Sequence, residues 1–239
     1  MRAWQAARGD DAVVMKQRFT LIELLVVIAI TLLMVGLAAT AYTKMFAAQQ
    51  VDGAAAALGG ALMEARQLAV SRRKYVAVLM PGAENSVAAD KAYACYRLAF
   101  VQSGTYVFDS WPAGSKWEFT GTACSIMEAD GTVGIEDAGT YQLTPVDNNP
   151  SLVTSVDLLG IGGANPSPSG VRAVIFKPSG RALQEYYVTL GQANYVGGRW
   201  IIQKVVSPLQ PKNHSCANQI TLKVNKFSGA VTYLRAENY

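Results

Sequence analysis

Arg18-Phe19-Thr20-Leu21-Ile22-Glu23 runs directly into Leu24-Leu25-Val26-Val27-Ile28-Ala29-Ile30, and no formal charge follows until Lys44. An uncharged stretch of about twenty residues, read as a helix, spans roughly the 30 Å hydrocarbon core of a bilayer. The basic flank Lys16-Gln17-Arg18 sets the N-terminus of that helix on the cytoplasmic side. One carboxylate, Glu23, stands at its mouth. An acid inside such a run is costly, about 2.5–3.5 kcal/mol at the helix centre, and it normally has a partner. A bare anchor has no use for Glu23.

Phe19-Thr20-Leu21-Ile22-Glu23 followed by an aliphatic run resembles the processing and assembly signature of type IV pilins and type II secretion pseudopilins. The resemblance covers residues 19–43. It implies that prepilin peptidase removes a basic leader, residues 1–18, between Arg18 and Phe19. It further implies N-methylation of Phe19, and neutralisation by Glu23 of the terminal ammonium of a neighbouring subunit in a helical filament. The physics agrees, because a buried carboxylate is tolerable when a cation meets it and not otherwise.

Two positions depart from the family pattern. Arg18 stands where the family has Gly, and Thr40 stands where a helix-bending Pro is common. Gly36 is then the soft point of the run, since a mid-helix Gly costs about 1 kcal/mol relative to Ala. Met15-Lys16-Gln17-Arg18 would serve as a four-residue leader, and Asp10-Asp11 does not read as targeting sequence, so the expected start is Met15. Two other readings compete: an uncleaved signal anchor, and a secretory signal cut near Ala39-Thr40-Ala41. The second fits poorly, because the apolar region exceeds the usual length of about 7–15 residues and opens with Glu.

At 239 residues the chain suggests one membrane helix and one moderate globular domain. The formal charge is +4; without residues 1–18 there remain 17 basic and 15 acidic residues, net +2. That balance gives no general argument for a polyanion partner. Charged residues make up only 16 %, which fits an exported β-rich domain better than a cytosolic enzyme. Of Cys95, Cys124 and Cys216, an oxidising periplasm would pair two and leave one. A Cys95–Cys124 bridge would close a loop of about thirty residues, worth about 3–4 kcal/mol, but sequence does not choose the pair.

Beyond Lys44 the helix is expected to continue to residue 74. Leu58, Leu62, Ala65 and Ala69 form a helical stripe of small and aliphatic residues, and Asp52, Glu64 and Gln67 lie opposite. Arg72, Arg73 and Lys74 complement the helix C-terminus. Expected strands are Tyr75–Met80, Ala92–Val101, Thr105–Trp111, Lys116–Thr120, Gly139–Pro145, Val171–Lys177, Gln184–Leu190 and Arg199–Val206. Ile220–Val224 and Ala230–Leu234 should form a closing hairpin. Gly160–Gly170 reads as an irregular loop, and without a following Lys-Ser/Thr it is not a phosphate loop. The expected fold is therefore α+β: a long N-terminal membrane-spanning helix packed on an antiparallel β-sheet domain over residues 75–239.

The segments Ala65-Arg66-Gln67-Leu68-Ala69, Phe176-Lys177-Pro178-Ser179-Gly180 and a final hairpin with Ser228-Gly229 resemble, in that order, the H-type (GspH/FimT-like) minor pseudopilins. Length, the Tyr93–Leu98 strand and the closing segment with Arg235 also resemble the Verru_Chthon cassette protein D group. These resemblances imply a single-pass inner-membrane protein whose C-terminal domain faces the periplasm. Its implied partners are other pilin-like subunits, prepilin peptidase and, indirectly, a platform membrane protein and a cytoplasmic ATPase.

No catalytic constellation is expected. His214 is the only histidine, and with Cys216 it is too sparse for zinc. It reads as part of an irregular Pro/Asn/Ser loop, Pro208–Asn218, without a flanking nucleophile motif. Asp130-Gly131 and Glu136-Asp137 do not match an EF-hand and read as solvated turns. Trp111, Trp117, Tyr186, Tyr187 and Trp200 read as core or sheet packing. No metal and no cofactor is expected, and the chain reads as a non-enzyme. A nucleic-acid partner, as in a DNA-uptake minor pilin, would need a basic stripe, and Lys204, Lys212, Lys223, Lys226 and Arg235 are scattered.

Overall fold

The structure is a computed structural model that describes residues 21–127, 151–202, 204–206, 214–216 and 218–235. Among the described residues one α-helix, α1 (Leu21–Arg72), precedes thirteen strands. The chain divides into two units, Met1–Lys44 and Met45–Tyr239.

In the first unit, every large apolar side chain from Leu21 to Leu37 is 48–84 % exposed. Thr31, within this stretch, turns its hydroxyl back onto the carbonyl of Ile28 at 2.9 Å. The polar group is thereby satisfied inside the helix. Among the described residues no helix is long and apolar enough to qualify as a membrane span. The apolar stretch whose side chains are all described ends at Leu37, short of the Leu24–Thr43 run read from the sequence.

The second unit begins with the remainder of α1. The predicted stripe holds: Leu58, Leu62, Ala65 and Ala69 are fully buried, and Asp52, Glu64 and Gln67 are exposed. Two antiparallel sheets accompany the helix, where the sequence suggested one. The first has the order β3-β2-β1-β7-β6, formed by Phe108–Ser110, Cys95–Val101, Tyr75–Met80, Val171–Phe176 and Ser151–Val153, with β4 (Glu118–Phe119) also on β2. The second has the order β13-β12-β8-β5, formed by Val231–Arg235, Gln219–Val224, Tyr186–Val196 and Cys124–Met127, with β9 (Arg199–Ile202) also on β8. A small pair joins β10 (Lys204–Val206) to β11 (His214–Cys216).

β1 shows why the first sheet has two covered faces. Val76, Val78 and Met80 pack with the α1 stripe and with Ile126, Val188, Leu190, Ile220 and Leu222 of the second sheet. The alternate residues Ala77 and Leu79 join a separate cluster with Ala99, Val153, Val171, Ala173 and Ile175. Its near-continuous apolar sequence, YVAVLM, is what burial on both faces requires. Buried Asn85 ties this region together: its amide donates to Ser169 Oγ and the Gly170 carbonyl, and its oxygen accepts from Gly82 N–H.

Several boundaries differ from expectation. β2 begins at Cys95, not Ala92, because the chain turns through 90–94 and Tyr93 has φ +58°. β8 continues past Leu190 to Val196, because Gly191 pairs on both sides, with Ser125 and Gln219. Its turn comes instead at Gly197-Gly198, both at positive φ. The expected strand Gly139–Pro145 lies outside the described residues.

Candidate functional site

Glu23 lies in the first turn of α1 and is exposed, at the head of the uncovered apolar stretch. A carboxylate there complements the positive end of the helix dipole, worth about 0.3–1 kcal/mol at an exposed site. Arg18 and Phe19 lie outside the described residues. A helix apolar all round its circumference has to be covered by lipid or by other helices. Full burial of each such Leu, Ile or Val is worth about 1.5–3 kcal/mol. This end of the molecule thus presents an exposed apolar helix with one carboxylate in its first turn.

The other end of α1 holds a junction that the sequence did not assign. Arg66 Nε donates to the Gly180 carbonyl at 3.2 Å. Gly180 closes the turn after β7, its N–H bonded to the Lys177 carbonyl at 2.8 Å and its φ at +79°. Gly229, at φ +65°, closes the β12–β13 turn, its N–H bonded to the Asn225 carbonyl at 2.8 Å. A Cβ on Gly229 would meet the Gly180 carbonyl and lie 3.2 Å from Arg66 Nε. Three segments picked out in the sequence thus meet at one point: the helix end, the Pro178-Ser179-Gly180 turn and the Ser228-Gly229 turn. The signal was present in each segment, but nothing in the sequence said they touch.

A cleft of about 170 Å³ lies beside the helix, lined by Glu64, Tyr96, Arg97, Ser115, Lys116 and Glu118 among others. Tyr96 donates to Glu118 at 2.9 Å, and burial first, then that carboxylate, raises the phenol well above its usual range. Arg97 stacks on Trp111 at 3.7 Å from the ring centre and donates to the Ser115 carbonyl at 2.7 Å. Burial lowers its guanidinium pKa, with Asp157 opposing. Arg97 and Ser115 are engaged in holding the 111–117 loop.

Cys95 carries a free, buried thiol, so the Cys95–Cys124 bridge is not formed. The reason is geometric: Cys95 packs in the Ala77 and Leu79 cluster, whereas Cys124 packs with the helix stripe. Burial pushes the Cys95 thiol up to about 12. His214 and Cys216 belong to strand β11, not to an irregular loop. Among the described residues no group of three metal-ligating side chains occurs. Asp130, Glu136 and Asp137 lie outside them. Trp200 and Tyr186 are buried, as expected for packing. Of the scattered cations, Lys223 pairs with Glu185 at 3.1 Å and Arg235 pairs with Asp52.

No protein-family model matches the chain, and no curated protein matches it. Among solved structures it is similar to the type IV minor pilin FimU of Pseudomonas aeruginosa strain PAO1, at 11 % identity and a TM-score of 0.39. That alignment covers 79 % of this chain and 90 % of FimU.

Proposed function

We propose that this chain is a minor-pseudopilin-like structural subunit, and not an enzyme, of a type II secretion or type IV pilus-like filament. The observation that supports this reading most is Glu23 at the head of a helix whose large apolar side chains, Leu21 to Leu37, are exposed. The signature Phe19-Thr20-Leu21-Ile22-Glu23 supports it from the sequence side. In this reading the helix inserts in the inner membrane with the β-rich part in the periplasm. Prepilin peptidase exposes the amine of Phe19, and Glu23 pairs with the ammonium of an adjacent subunit. The apolar surface passes from lipid to neighbouring helices, so the acid is satisfied in both register and charge. An H-type pseudopilin role, or membership of the Verru_Chthon cassette protein D group, is the finer form of the same proposal. The work of assembly comes from a platform protein and an ATPase.

The test is Glu23→Ala beside Glu23→Gln, followed by recovery of filaments and of co-purifying pilin-like subunits. Both variants should insert in the membrane and fail to assemble. Assembly at the wild-type level would remove Glu23 from the account.

A further inference from the structure

We propose that Arg66, Arg73, Lys177, Arg181 and Lys226 form a docking surface for the acidic stretch, residues 128–150, of a second copy of this chain. The inference rests on the filament reading, which supplies the second copy. The five cations hang from the junction of α1 with the turns at Gly180 and Gly229, and Arg66 touches both turns. Val70, one helical turn on, lies 3.0 Å from where a Gly180 Cβ would be, and Arg73, exposed, is the first residue past the end of α1, at φ +53°. Lys177 and Arg181 flank Gly180, joined by Lys177 N–H to the Arg181 carbonyl at 2.8 Å. Lys226 sits in the turn that Gly229 closes, beside Phe227, which is 73 % exposed.

This surface is unbalanced in charge. Residues 65–74, 174–184 and 224–235 contain no Asp or Glu. Elsewhere Lys74, Lys91, Arg172, Lys223 and Arg235 each pair with a carboxylate. Among the described residues none of the five junction cations does. Like charges gathered without counter-charges repel one another and favour an anionic partner. The sequence carries a match: residues 128–150 hold Glu128, Asp130, Glu136, Asp137 and Asp147 and no Lys or Arg. The surface joins one helix end to two turns, a compact knot suited to a short acidic peptide. A nucleic acid, with a phosphate about every 1.7 Å of duplex, asks for a longer basic track. The filament reading supplies the second copy that places this partner in trans.

The experiment mixes full-length chains grown on light and heavy isotopes and reconstitutes them together in membranes. Carbodiimide then condenses carboxylates with lysine amines, and mass spectrometry reads the linked peptides. Heavy–light links from Lys177 or Lys226 to residues 128–150 are expected. Arg181→Glu with Lys226→Glu should abolish those from Lys177, and adding Glu136→Lys with Asp137→Lys should restore a reversed set. Links confined to one isotope, or no links, overturn the proposal. So does retention of a DNA oligonucleotide that the same reversals abolish, since the surface would then serve nucleic acid. A Val27→Cys disulfide between heavy and light chains reports helix association in the same sample. Helix disulfides without junction links sink only this proposal; absence of both sinks the filament reading with it.

Discussion

Arg66 Nε and the Gly180 carbonyl oxygen meet at 3.2 Å across 114 positions of sequence. This bond fastens the end of α1 to the turn after β7, and Gly229 leaves the space in which it forms. Arg66→Met keeps the apolar stem and removes the donor, and should destabilise the chain by about 1–2 kcal/mol. Denaturant unfolding of the detergent-solubilised protein measures it. An unchanged midpoint would mean the bond adds nothing to stability.

Gly229→Ala should cost more than Gly198→Ala, although both residues have positive φ. Each pays the left-handed penalty of about 1 kcal/mol. Only at Gly229 would the added methyl also strike backbone, the Gly180 carbonyl; around Gly198 the space is open. Equal midpoints for the two variants would contradict the packing of the junction.

Within α1, Gly53 and Gly60 have open space where a Cβ would be. Alanine at either should raise stability by about 0.5–1 kcal/mol through helix propensity. At Gly59 a Cβ would meet the Tyr233 hydroxyl, the far end of a half-exposed side chain. Gly59→Ala should therefore gain less than Gly60→Ala, and Tyr233→Ala in the same background should recover the difference. Thermal unfolding of the four variants decides the matter.

The Cys95 thiol is raised to about 12 because burial disfavours the thiolate. The folded state then binds the proton more tightly than the unfolded state, whose thiol ionises near the ordinary value of about 8.5. Stability from this group is complete below that value and declines as pH rises toward 12. Maleimide at pH about 8 should leave Cys95 unlabelled until denaturant is added, because the thiolate is the nucleophile. Rapid labelling of Cys95 in the native protein would contradict its burial.

Arg97 rests on Trp111 and holds the Ser115 carbonyl. Arg97→Lys loses the planar stack and should loosen the 111–117 loop, with a loss of about 1–2 kcal/mol. Hydrogen exchange should quicken at residues 111–118 while α1 and β1 stay protected. Uniform quickening would argue against a local role.

The helix and its buried stripe were legible because a period of three to four residues is a strong signal over many turns. β1, β7 and the β12–β13 hairpin were legible for similar reasons, being apolar runs ended by Pro-Gly, Pro-Ser-Gly and Ser-Gly. The division of the strands into two sheets was not. β5 of the second sheet and β6 of the first span only Cys124–Met127 and Ser151–Val153, too few residues for a pattern to show, and Gly191 hid the length of β8. β11 was masked by the polar sequence around His214. The cysteine pairing stayed open because spacing along the chain does not report which face of a layer each thiol joins. Glu23 could be singled out from sequence because a charge beside a long apolar run has few explanations. The Arg66 junction could not, since its three segments are each ordinary and only the fold brings them together.

The most direct test of the account is the identity of the first residue in protein isolated from its native cells. Terminal sequencing with intact-mass measurement should find a chain beginning at Phe19, its amino group methylated. A mature chain that retains Arg18 would provide no ammonium at that position for a neighbour's Glu23, and would contradict assembly by this route.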